Sequence, residues 1–179
     1  MSKTRRIILI SLFAAISVAL DIFKEMIPFL NMPSGGSINI SLIPLVAASF
    51  ILGIRDGIFT SLIAFMISTM FGLNNIYISI PQYFFDYILP TLILGLSSIF
   101  YKNKKILEME FGILFVMSIR TFSLVISGMY FWFEESVVAG SFEALVGSLA
   151  YNVPYSFITL IVLVIIVPLL VKSVSKYLL

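Results

Sequence analysis

Apolar residues fill this chain in long unbroken blocks, and short polar segments punctuate them. The blocks cover 7–23, 41–53, 57–73, 80–101, 111–133 and 145–171. About 20 consecutive apolar residues carry a helix across the hydrocarbon of a bilayer, so the pattern predicts six membrane-spanning helices. Blocks two and three are the short ones. The turn Gly53–Gly57 between them makes either a helical hairpin or a partly re-entrant pair. The blocks do not alternate polar with apolar, which excludes a transmembrane β-barrel. The predicted fold is an all-α membrane protein, a compact bundle of six transmembrane helices forming one domain over residues 1–179.

Lys3, Arg5 and Arg6 ahead of the first block fit the charged start of a cleaved signal peptide. That block is long, no small-x-small cleavage site precedes the polar loop, and five more blocks follow. It is read as a retained first helix.

Composition agrees with the pattern. Of 179 residues, 60% are apolar and 11% charged, and mean hydropathy is +1.13. A soluble domain is about a quarter charged. The basic residues are scattered, leaving no footprint for nucleic acid. The chain has neither Cys nor His, which removes Cys/His zinc sites, disulfides, thiol catalysis and imidazole acid–base chemistry together.

Charge then sets the orientation. Lys3, Arg5, Arg6, Arg55, Lys102, Lys104, Lys105, Lys172 and Lys176 all fall on one side of a six-span topology. The other side holds only Lys24, while Arg120 sits inside a block. Basic loops stay in the cytoplasm and acids contribute little, so Glu25, Glu134, Glu135 and Glu143 outside, and Asp56, Glu108 and Glu110 inside, do not disturb the reading. Both termini are expected in the cytoplasm, with loops 24–40, 74–79 and 134–144 facing out.

A charge in hydrocarbon costs about 2.5–3.5 kcal/mol on insertion scales and marks a bundle interior or cavity. Asp86, Arg120 and Asn152 are such residues. Gln82 lies one turn before Asp86, Ser123 and Ser127 continue the face of Arg120, and Ser148 that of Asn152. At about 1.5 Å per residue, Asp86 lies about 9 Å and Asn152 about 10 Å in from the outer surface, with Trp132 at the rim. Tyr87, Tyr130 and Tyr151 stand at the same level. The convergence predicts a polar pocket, lined by aromatics and opening outward. Two readings stand for Asp86 and Arg120, a mutual structural ion pair or contact with a ligand. Trp132 is a pocket wall or part of an interfacial belt, the belt being preferred for Tyr77, Tyr83 and Phe133. Asn152 binds ligand or bridges two helices.

Several activities are excluded. No Gly-x4-Gly-Lys-Ser/Thr loop exists to hydrolyse ATP. No Ser–His pair exists, only one Asp lies well within a span, and no acidic cluster can hold a metal. An enzyme, a resident metal and a cofactor are not expected. No repeat links the two halves, which argues against a carrier built of inverted repeats. A small bundle with an outward pocket and no motor reads as a substrate-capture subunit.

The chain resembles the substrate-binding S-components of energy-coupling factor (ECF) vitamin transporters, over nearly its whole length. The first helix carries Phe13-Ala14-Ala15-Ile16-Ser17-Val18-Ala19. In that family such an Ala-x-x-x-Ala pair, here Ala15 and Ala19, docks a shared transmembrane coupling protein, and two small residues four apart do permit close helix approach. The thiamine-specific type is the most similar. Gln82-Tyr83-Phe84-Phe85-Asp86-Tyr87 resembles its Gln-x-x-x-acid-Tyr signature, and Arg120-x3-Leu124-x3-Gly128-x3-Trp132 its basic-x3-His-x3-Gly-x3-Trp pattern. Ser148-Leu149-Ala150-Tyr151-Asn152 resembles the stretch ending in its ligand-binding Asn, and Ile43-Pro44 with Gly53–Gly57 also matches. The resemblance implies that Asp86, Tyr87, Trp132 and Asn152 bind thiamine. Gln82, Ser127, Tyr130 and Tyr151 join them as candidates from the depth argument. The family's His falls on Leu124, its Trp on Gly35 and its pocket Tyr on Gly147. Part of the aromatic cage is therefore missing, and Ser37, Asn39, Tyr130 or Tyr151 are the available substitutes.

The resemblance further implies partners: the coupling protein, separate ATPases and the bilayer of a bacterial plasma membrane. The loop 24–39, rich in Pro and Gly, is expected to act as a lid. The alternatives are an S-component for another small vitamin or precursor such as hydroxymethylpyrimidine, a self-sufficient proton-coupled carrier with Asp86 and Arg120 as relay, or a structural subunit in which they form an inert pair.

Overall fold

A computed structural model describes residues 1–32, 36–74, 76–132 and 137–178. Gly35, Phe133, Glu134 and Glu135, which entered the sequence reading, lie outside the described residues. The described chain is all helix apart from loops and one isolated bridge, Asn31–Ser37. Six helices follow one another: α1 Lys3–Glu25, α2 Leu42–Leu52, α3 Ile54–Met70, α4 Ile80–Phe100, α5 Ile106–Phe131 and α6 Phe142–Leu178. Four of them, α1, α4, α5 and α6, are long and apolar enough to cross a bilayer. The expected second and third spans come out short. α2 has 11 residues, about 16 Å, and Gly53 at φ 92° turns the chain directly into α3. The short α2 survives because protein surrounds it: Leu42, Pro44, Leu45, Val46, Ala47, Ala48, Ser49 and Phe50 are all buried.

α1 is two-faced. Ile10, Phe13, Ala14, Ser17 and Val18, at i, i+3, i+4, i+7 and i+8, turn inward. Ser11, Leu12, Ala15, Ile16 and Ala19 form the outer face. At its start Arg6 pairs with Asp56 of α3, a carboxylate only 3% exposed. At its end Lys24 Nζ lies 2.8 Å from Asp21 Oδ1. Asp21 is a second acid within a span, which the sequence reading overlooked; Lys24 neutralises it and Ser41 Oγ donates to it at 3.2 Å.

Small residues let the helices meet closely, as dispersion-driven packing in lipid requires. A Cβ on Gly57 would lie 2.8 Å from both the Gly95 carbonyl oxygen and Ser49 Cα. Beside this crossing Ser49 Oγ donates to the Gly95 carbonyl at 2.7 Å.

The loop between α1 and α2 does not stay at the bundle's end. Asn39 N donates to Thr159 Oγ1 at 3.1 Å, a level about 25 Å along α6. The loop folds on itself first: Met32 N donates to Gly36 O at 3.0 Å and Ile38 N to Leu30 O at 2.8 Å. Gly36, at φ 75°, lays its backbone against the Tyr155 ring, where a side chain has no room. Such irregular backbone is tolerated at depth only when protein covers it.

Candidate functional site

α4 is not a regular helix, and its irregularity traces to one residue. Pro90 has no N–H to give the preceding turn. Around it the helix widens to a π turn over Phe84–Ile88, in which Leu89 N donates to Phe84 O. The Phe85 carbonyl is then without a backbone donor, and Ser123 Oγ of α5 supplies one at 2.7 Å. Wide turns of this kind recur at functional sites, and this one carries Asp86 and Tyr87.

The orientation of Asp86 is built one turn earlier. Ser79 caps the helix by accepting from Gln82 N at 3.3 Å. Gln82 is fully buried, accepts from Ile78 N at 3.0 Å and donates to Asp86 Oδ2 at 2.6 Å. Trp132 Nε1, from the end of α5, donates to the same Oδ2 at 2.6 Å. Both donors hold one oxygen, and Asp86 Oδ1 remains without a partner among the described residues.

Beside this carboxylate opens a cavity of about 930 Å³, large enough for a small-molecule ligand. Its wall brings together Asp86, Tyr87, Trp132, Tyr151 and Asn152, five of the expected site residues, from three helices. Trp132 keeps 44% of its surface exposed, so the indole presents a free face. Tyr87 is braced by Tyr83, whose ring centroid is 5.0 Å away. Asn152, 6% exposed, is already committed within the protein. Its Nδ2 donates to Ser148 O at 3.0 Å, and its Oδ1 accepts from Tyr155 Oη at 2.6 Å.

Three expected residues are not in the wall. Gln82 stands behind Asp86. Ser127 is buried, with its hydroxyl unpartnered among the described residues. Tyr130 is half-exposed and packs on Gly140. Of the residues named as substitutes for the missing aromatics, Ser37, Asn39 and Tyr130 do not line the cavity and Tyr151 does. Leu124 and Gly147, where the family pattern has His and Tyr, both line it, and a Cβ on Gly147 would meet nothing.

Of the two readings of Asp86 and Arg120, the mutual ion pair does not form. Trp132 holds Asp86 at the end of α5, and Arg120 lies about 18 Å back along that helix. Arg120 is 9% exposed, its Nε has no partner among the described residues, and its electrostatic neighbours are Tyr155 and Asp21. A relay between Asp86 and Arg120, the basis of the proton-coupled alternative, has no direct contact to run through. Sequence reasoning missed Glu143 and Tyr155 in the wall. Spacing held the signal for both: Glu143, Gly147, Tyr151 and Tyr155 recur every four residues, one face of α6.

The thiamine transporter protein family, Thia_YuaJ, matches residues 7–179. The thiamine transporter ThiT of Bacillus subtilis (strain 168) is 30% identical over 185 residues, covering 97% of this chain and 93% of its own. Two solved structures share the fold. ThiT from Listeria monocytogenes gives a TM-score of 0.77 at 21% identity, covering 97% of each chain. The S component of a bacterial ECF transporter gives 0.67 at 23% identity, covering 99% of each.

Proposed function

Since the chain belongs to the thiamine transporter protein family, we propose that it is the substrate-capture component of an ECF-type importer in the bacterial plasma membrane and that the cavity beside Asp86 takes thiamine. It is a transporter and carries out no catalysis of its own.

The carrying observation is the charge of the wall. Asp86 and Glu143 are both carboxylates, and no Lys or Arg joins them among the described lining residues. Such a wall favours a cation, and thiamine has a permanent one in its thiazolium ring. The exposed face of Trp132 offers a stacking surface for it, a contact worth about 2 kcal/mol or more once water is excluded. Asp86 Oδ1 can accept from the aminopyrimidine amino group, while Gln82 and Trp132 keep the carboxylate turned toward the ligand. Tyr87 and Tyr151 complete the aromatic wall. Asn152 has an amide suited to a ring nitrogen and an amino group together. Engaging them requires it to exchange its bonds to Ser148 and Tyr155.

The cavity end of the bundle then faces outside and both termini face the cytoplasm, in line with the basic loops. Ala15 and Ala19, on the outer face of α1, are the surface for the coupling protein, with separate ATPases supplying the energy. The loop 24–39, whose Gly36 rests against the Tyr155 ring, is the lid. Release inward by reorientation of the whole bundle rests on the family resemblance.

Trp132 is the chain's only tryptophan, so intrinsic fluorescence reports on the site directly. Thiamine is expected to quench it saturably in detergent, and Asp86→Ala to abolish the response. Fluorescence unchanged by thiamine, together with an Asp86→Ala protein that behaves as wild type, overturns the thiamine reading.

A further inference from the structure

Glu143 lies in the first turn of α6, where an acid complements the helix dipole. That role needs the position only; it does not need the residue to face the cavity, yet Glu143 lines it. Gly147, one turn on, also lines it and leaves open space, since a Cβ there would meet no atom within 4 Å. The start of α6 therefore borders unfilled room in the cavity. An uncovered helix start with free N–H groups attracts phosphate, and a phosphate ester of the ligand would find a berth there. Here Ser141 Oγ already caps the start by accepting from Ala144 N at 3.1 Å, and Glu143 adds a negative charge.

We infer that Glu143 is a specificity-determining residue: it selects the cationic free alcohol over its phosphate esters by adding a second carboxylate to the cavity wall that carries Asp86. A phosphate monoester carries about −1.5 to −2 charges at neutral pH, so both carboxylates repel it. Net attraction remains for a ligand whose only charge is positive. This inference rests on the thiamine reading of the same cavity.

The test is equilibrium binding of thiamine and of thiamine monophosphate to the purified full chain, as wild type, Glu143→Gln and Glu143→Asp. Glu143→Gln is expected to weaken thiamine about fivefold, the effect of one partly screened charge. It is also expected to tighten the monophosphate, so the preference for thiamine falls by more than tenfold. Glu143→Asp keeps the charge and is expected to keep the preference. If wild type binds thiamine and the ratio of the two dissociation constants is the same in Glu143→Gln, the inference is overturned and the thiamine reading stands. If wild type binds neither compound, both fall.

Discussion

The crossing of α5 and α6 at Gly128 ties the fold's stability to the cavity, and one methyl group tests that tie. A Cβ on Gly128 would lie 3.0 Å from Ser148 Cβ and 3.2 Å from Asn152 Nδ2, and nearer still to Ser148 Oγ. That hydroxyl donates to Val125 O at 2.8 Å and accepts from Asn152 Nδ2 at 3.2 Å. Gly128→Ala must push α6 away or turn Ser148 out of both bonds. In an isolated helix Ala gains about 1 kcal/mol over Gly. Overpacking costs about 1–3 kcal/mol and a lost buried hydrogen bond about 1–3 kcal/mol more. The steric and polar costs outweigh the propensity gain, for a net loss of about 1–5 kcal/mol. At about 2–4 °C per kcal/mol for a chain of this size, the midpoint of thermal unfolding in detergent drops by roughly 2–20 °C. Thiamine binding weakens as well, because Asn152 loses its seat. Two controls isolate the cause. Gly147→Ala, on the neighbouring helix but facing open space, is expected to unfold no earlier than wild type. Gly128→Ala combined with Ser148→Gly, which removes the obstructing side chain, is expected to recover part of the loss, a coupling readable as a double-mutant cycle. A Gly128→Ala protein with wild-type midpoint and wild-type affinity would refute the packing argument.

Two further outcomes follow from the same geometry. Asp86→Asn keeps the shape and still allows Gln82 and Trp132 to donate to its amide oxygen, but removes the charge; loss of a charge-assisted bond of about 1.5–3 kcal/mol weakens thiamine about 10- to 150-fold by calorimetry, and a change under threefold contradicts the role given to this carboxylate. At the other end of the bundle, Arg6→Ala strands the buried Asp56 carboxylate and is expected to cost about 1–3 kcal/mol in unfolding measurements, whereas adding Asp56→Asn restores much of it because no charge is then left unpaired; an unchanged midpoint for Arg6→Ala counts against a structural role for the pair.

What the chain alone determined is whatever depends on spacing along one helix. Unbroken apolar runs placed the six helices, because backbone groups in lipid can be satisfied only within the helix itself. The four-residue step from Gln82 to Asp86 put acid and amide on one face, where the structure joins them at 2.6 Å. Shared depth brought Asp86 and Asn152 to one level, below a rim held by Trp132, since rise per residue is nearly constant. The tertiary structure decided what depends on how far apart two helices stand and how each is rotated. It paired Asp86 with Trp132 rather than Arg120, left α2 too short to span by surrounding it with protein, and drew the loop before α2 down to Thr159. It also turned Glu143 from a loop charge into part of a wall. Hydrophobic patterning cannot encode those choices: every face of a membrane helix is apolar, so the pattern does not say which face meets protein. Steric fit at glycines and the demand of each buried polar atom for a partner settle it instead.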